Sequence, residues 1–197
     1  MKFKKNEIKE IIQFLGFKMQ EGKTEIYYKT YKNHNNYIIK LNFEKEVIEY
    51  GAKIKLGDLT TSNFENSENF VVLECVDRVL SKGYPPQSLT LEQKWPMGRK
   101  EKGKLDILIK DKNDKAYIMI ECKTWGDEYD KEKKKMQRDG GQLFSYFQQD
   151  KSAQYLCLYA SRFYKGNIQF INNIVQVDEQ WKDFSNQKEI FDHWNKN

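Results

Sequence analysis

Two short apolar runs carry charge where a buried strand normally excludes it. The first is Lys104-Leu105-Asp106-Ile107-Leu108-Ile109. The second, Tyr117-Ile118-Met119-Ile120-Glu121-Cys122-Lys123, follows after the polar residues Asp111-Lys112-Asn113-Asp114. Ile-rich runs on either side of such a turn predict a β-hairpin. Strand alternation puts Glu121 and Lys123 on one face and turns Cys122 to the other. Asp106 lies across from them if the hairpin register allows. Ile118, Met119 and Ile120 look buried, so the charges beside them need partners or a use.

The rest of the chain limits what that use can be. Its 197 residues suit one domain with a small extra lobe. With 39% hydrophobic residues and 14% aromatics there is enough to build a core, which argues against general disorder. Lys and Arg number 34 against 29 acids, a net charge of +5 that is compatible with a polyanionic partner without requiring one. Cys75, Cys122 and Cys157 each sit inside an apolar run, like small core residues, which suggests reduced thiols. No CxxC pair exists and His34 and His193 are far apart, which argues against structural zinc. No apolar segment follows the charged start and none is long enough to span a bilayer, so a cytoplasmic protein without a membrane partner is expected.

Helical spacing of Ile8, Ile11, Ile12 and Leu15 before Gly16 predicts a first helix over 7–15. Runs at 25–31, 36–42 and 47–50 alternate apolar with polar residues and predict an antiparallel meander. The polar segment 57–69 carries the internal boundary. A second helix is expected over 70–82, a strand over 88–95, then the hairpin. Residues 127–149 read as a loop leading into one helix. The apolar run 153–160 predicts a central strand covered on both faces, and 167–177 one further strand or two short ones. A polar helix over 179–194 closes the chain. These elements predict an α/β fold with a mixed central sheet flanked by helices, plus an N-terminal helix and meander. The divisions are 1–60 for that lobe, 61–178 for the core and 179–197 for the closing helix.

Two carboxylates and an ammonium at one sheet edge are minimal equipment for metal-assisted phosphodiester cleavage. Asp106 and Glu121 are hard oxygen ligands suited to Mg²⁺, with Mn²⁺ as a substitute. Lys123 is placed to orient a water or to offset charge in the transition state. A cross-strand ion pair on a solvent face explains the same residues. Glu74, inside Val71-Val72-Leu73-Glu74-Cys75-Val76, is a third acid; it either faces the cation site or pairs with Arg78 four residues on. Gln142 and Tyr146 share one helix face. The basic stretches around Arg99, Lys100, Lys102 and Lys104, and around Lys133 and Lys134, either follow a phosphate backbone or form a solvated charged face.

Together these residues resemble the PD-(D/E)xK nuclease superfamily. Asp106 stands for the motif's Asp, Glu121-Cys122-Lys123 for its (D/E)xK, and Glu74 for the helical acid many members carry. Gln142-Leu143-Phe144-Ser145-Tyr146 matches the QxxxY element of nuclease domains in type I and fused restriction–modification enzymes. The resemblance covers about 69–160. The residue before Asp106 is Leu105 rather than the family's proline. The resemblance implies a restriction-endonuclease-like core and a Mg²⁺-dependent endonuclease acting on double-stranded DNA. Asp106, Glu121 and Glu74 would hold the metal, Lys123, Gln142 and Tyr146 would assist, and a methylase or translocase module would be linked or separate. It also implies that the chain is an N-terminal piece of a longer polypeptide. The rival readings are a catalytically silent nucleic-acid-binding or interaction domain, or a DNA-repair nuclease of the same fold.

Overall fold

The computed structural model describes residues 3–95 and 103–196. Helix α1 (Lys5–Phe14) leads into a four-stranded antiparallel sheet. Its strands are β1 (Lys18–Met19), β2 (Ile26–Tyr31), β3 (Tyr37–Asn42) and β4 (Val47–Glu49), in that order. This is the expected meander with one short strand added. Next come β5 (Lys55–Leu56), α2 (Glu68–Ser81), β6 (Leu89–Lys94), β7 (Lys104–Lys110) and β8 (Ala116–Thr124). The chain continues with α3 (Asp127–Asp139), α4 (Gly141–Gln149), β9 (Tyr155–Tyr164), β10 (Asn167–Gln176) and α5 (Gln187–Trp194).

The second sheet has six strands in the order β10-β9-β8-β7-β6-β5. β8/β9 and β5/β6 are parallel and the other pairs antiparallel, so the sheet is mixed. The parallel step from β8 to β9 needs a crossover, which α3 and α4 supply. The architecture is α/β, with helices on both faces of a mixed sheet.

α2 is the centre of the molecule. Every residue from Asn69 to Asp77 is buried, because the helix is apolar nearly all round and lies between the two sheets. Phe43, Ile48 and Phe64 from the N-terminal half share one apolar cluster with Val72, Leu73, Ile107 and Ile120. The other face of the large sheet, with Met119 and Leu158, packs under Tyr129, Phe144 and Trp181. Cys75, Cys122 and Cys157 are free thiols, all buried.

Three details depart from the expectation. β5, inside the stretch 1–60 assigned to the N-terminal lobe, is a strand of the six-stranded sheet beside β6. Residues 127–149 form two helices rather than one, because Gly140 and Gly141 both take positive φ (87° and 57°). Gly140 ends α3 by donating its N–H to Met136, and a β-carbon there would fall 2.4 Å from Phe144. The closing segment is a 3₁₀ turn over Glu179–Lys182 followed by α5, not one helix.

Candidate active site

Past the Ile107–Ile120 pair, β7 and β8 no longer pair backbone to backbone. Asp106 fills the gap: its Oδ2 accepts the Cys122 N–H at 2.7 Å. The carboxylate therefore stands where a ladder carbonyl would, fixed against the strand that carries Glu121 and Lys123. β8 keeps its parallel pairing with β9 through Glu121–Leu158 to Thr124–Ser161, so the splayed end is rigid on one side.

Alternation brings Glu121 and Lys123 to the face of Met119, while Cys122 points to α2. Lys123 Nζ lies 2.6 Å from Glu121 Oε1 and 3.7 Å from Glu68 Oε2. Glu121 is 2% exposed, and its second oxygen, Oε2, is buried with no hydrogen-bond partner. A buried carboxylate oxygen without a partner is costly, and a bound cation is one group that would relieve that cost.

The electrostatics agree with crowding of acid in a dry place. Burial, then the charge of Glu121, pushes the Asp106 carboxyl well above its ordinary range. Burial raises Glu121 to about 7, against the pull of Lys123. Burial opposes the Lys123 charge, but the fields of Glu121, Asp106 and Glu68 outweigh it and hold the ammonium pKa above the usual lysine value. Glu68 is itself raised by burial. Two neighbouring buried carboxylates with one ammonium lack positive charge. A divalent cation would supply it.

Glu74 does not join this cluster. Its Oε1 accepts Arg78 at 2.5 Å and its Oε2 accepts the Tyr159 hydroxyl at 2.5 Å, so both oxygens are engaged on α2 and β9. The i,i+4 pair is the arrangement found. Glu68, two turns earlier and at the start of α2, is the helical acid that reaches Lys123. It sits in the polar run before the apolar stretch, where a helix start attracts acids, and that position was its only signal.

Gln142 and Tyr146 both lie on α4, with Gln142 Nε2 3.3 Å from the Tyr146 hydroxyl. That hydroxyl donates to the Lys104 carbonyl at 2.8 Å, at the start of the Asp106 strand. Burial, then the charges of Glu121 and Asp106, raises the Tyr146 phenol above its usual range, which places the ring within their field. Trp95 stacks on it at 5.8 Å. Glu132 of α3 accepts the Gln142 N–H at 3.2 Å and so fastens the start of α4.

Beside Asp106 lies a strained residue that sequence reasoning missed. Glu92, on β6, has φ +53° and falls between the Leu91–Ile107 and Gln93–Leu105 pairs, opposite Asp106. A non-glycine residue in that region within a strand is strained. Gly57 presses against it; a β-carbon there would fall 2.1 Å from the Glu92 carbonyl oxygen. Glu92 Oε2 is 3.7 Å from Lys104 Nζ, and burial raises its carboxyl.

Of the predicted phosphate-binding lysines, Lys104 bonds Thr60 at 2.6 Å and lies 3.3 Å from Asp58. Its charge is offset by acids. Lys133 and Lys134 are exposed on α3. Arg99, Lys100 and Lys102 lie outside the described residues. A further cation, not singled out from the sequence, lies at the Lys123 end of the sheet. Arg162, on β9, stacks 4.4 Å from the Trp125 ring and 4.7 Å from Tyr164, at the strand end that also carries Lys123.

Among the described residues, no three acidic, thiol or imidazole groups form a ready-made metal cage. Nor is any helix there long and apolar enough to cross a membrane. No protein-family model and no curated protein matches this sequence.

Proposed function

We propose that the chain is a Mg²⁺-dependent endonuclease domain with a restriction-endonuclease-like core, acting on double-stranded DNA in the cytoplasm. The observation that carries this reading is the convergence of Asp106, Glu121 and Lys123 at a splayed strand end, with Glu121 Oε2 buried and unpartnered. The resemblance of the same residues to the PD-(D/E)xK pattern supports it.

Asp106 and Glu121 are the residues that would hold the cation. Two protein carboxylates are enough for Mg²⁺, which keeps several waters and takes substrate oxygens. When bound, the ion would polarise the scissile phosphate. Lys123 is held by Glu121 at 2.6 Å with Glu68 3.7 Å away, so its ammonium is positioned beside the carboxylates that would hold the cation. From there it orients a water for in-line attack and offsets charge on the phosphate. Tyr146 and Gln142 brace the Asp106 strand through the Lys104 carbonyl, which makes them positioning residues. Arg162 and Lys165, at the Lys123 end of the sheet, suit contact with the phosphate backbone. The cleavage would serve a restriction–modification system in which a methylase or translocase module directs it.

Supercoiled plasmid incubated with Mg²⁺ or Mn²⁺ tests the reading. The expected result is nicking by the wild-type chain, abolished by EDTA and by Asp106→Asn. Equal nicking by folded Asp106→Asn overturns the site. A wild-type chain that neither nicks DNA nor binds either cation overturns the function.

A further inference from the structure

β10 is an open edge. It lies at the end of the six-stranded sheet and pairs with β9 along its whole length. The turn residues Lys165 and Gly166 both have positive φ (51° and 73°), the type I′ geometry of a two-residue hairpin. In such a hairpin the closing pair, here Tyr164 and Asn167, exchanges hydrogen bonds. Odd-numbered residues of β10 therefore bond β9. Even-numbered residues, from Ile168 to Gln176, aim their N–H and C=O groups outward. Among the described residues nothing hydrogen-bonds this outer row.

Sheets usually protect such edges with short strands, charge or proline. The opposite edge conforms, since β5 is two residues long and includes Lys55. β10 has none of these devices: Asn-Ile-Gln-Phe-Ile-Asn-Asn-Ile-Val-Gln is ten residues without charge or proline. Phe170 and Ile174, both in the outward-bonding row, are 44% and 57% exposed. The Phe170 ring is already held in place, with Arg78 3.8 Å from its centroid and Tyr159 stacked on it.

We propose that β10 is the interface for a second copy of this chain, the two strands pairing antiparallel about a two-fold axis at Asn172. The strand is self-complementary in this register. Asn172 faces its own copy, Phe170 faces Ile174, and Ile168 faces Gln176. Every position in that row is an outward-bonding one, so each free N–H and C=O meets a mate. Aromatic–β-branched pairs are favourable across strands, and the central amides bond each other. An uncharged strand meets itself without like-charge cost, and it offers a charged partner segment no counter-charge. The pairing joins two six-stranded sheets into one and leaves Lys123, two strands in from this edge, uncovered. The inference is therefore independent of the nuclease reading.

Sedimentation of the full chain tests it. The expected wild-type species has twice the 23.6 kDa chain mass at micromolar concentration. Asn172→Pro removes one outward N–H and leaves the β9 ladder intact, and Ile174→Lys sets an ammonium opposite the second copy's Phe170, which Arg78 already covers. Each is expected to weaken self-association at least about tenfold, with circular dichroism and cooperative unfolding unchanged. Asn172→Cys is expected to cross-link to a dimer with a short bis-maleimide, whereas Lys55→Cys is not. A wild-type monomer, or a dimer indifferent to both folded edge variants, overturns the proposal. So does cross-linking at Lys55→Cys but not at Asn172→Cys.

Discussion

Two of the buried acid–cation clusters among the described residues differ in completeness. At Glu74 both carboxylate oxygens are bonded, one to Arg78 and one to Tyr159. At Asp106 and Glu121 the acids outnumber the ammonium, and one Glu121 oxygen has no partner. Glu74 and Glu121 are about equally buried, at 3% and 2% exposure. Burial of a carboxylate therefore does not mark a site here. The difference is in satisfaction: the first cluster closes on itself and ties α2 to β9, and the second is left short of charge at a splayed strand end.

That contrast is testable from both sides. The largest effect is expected at the cations. Lys123→Met is expected to lower Mg²⁺-dependent cleavage by about 10²–10³-fold with the fold intact. Arg78→Met leaves cleavage per folded molecule unchanged. Plasmid nicking normalised to the folded fraction distinguishes them, and equal losses would erase the distinction. Glu74→Gln comes next. It breaks a well-satisfied network and is expected to cost about 2–3 kcal/mol in denaturant unfolding, discounted because Arg78 is partly exposed. Unchanged stability would show that the closed cluster is not a tie between α2 and β9.

Of similar size is the effect of the cation on folding. Saturating Mg²⁺ is expected to raise the wild-type Tm by about 5–10 °C, since about 2–3 kcal/mol follows from a ligand at 100 times its Kd. Glu74→Gln keeps this shift and Glu121→Gln loses it, as read by differential scanning fluorimetry. The most gradual effect concerns pH without divalent cation. Glu121 holds its proton to about pH 7 in the folded chain, above the ordinary 4.5. Its contribution to stability is full below 4.5 and is lost as pH rises to about 7, by at most about 1.4 kcal/mol per pH unit. In EDTA, Glu121→Gln should flatten that slope in urea titrations at successive pH values. An unchanged slope would place the charge deficit elsewhere.

The sequence was informative where a residue violated its own local pattern. Asp106, Glu121 and Lys123 interrupt apolar strands, and period-2 alternation places the last two on one face; the structure has them so. Gln142 and Tyr146 share a helix because four residues make about one turn. Glu74 broke its pattern equally well, yet α2 is buried on all sides, so an interruption there indicates only depth. Which acid faces the cluster depends on how α2 is rotated between two sheets, and packing alone decides that.

Local rules also misjudged what distant segments impose. Nothing near Glu92 signals a positive φ, because it arises at the unmatched position opposite Asp106, where the distant Gly57 approaches β6 closely. Arg162 reaches the Lys123 end only because β9 runs parallel to β8, a pairing made across α3 and α4. By itself the sequence determined the order of most elements, the hairpin and the Asp–Glu–Lys set, since periodicity and turn chemistry act within a few residues. Only the tertiary structure decided that Glu68 rather than Glu74 reaches Lys123, that Asp106 caps a splayed strand, and that β10 is left open. Each of these depends on contacts between segments far apart in the chain, where helix rotation and strand order carry no local signature.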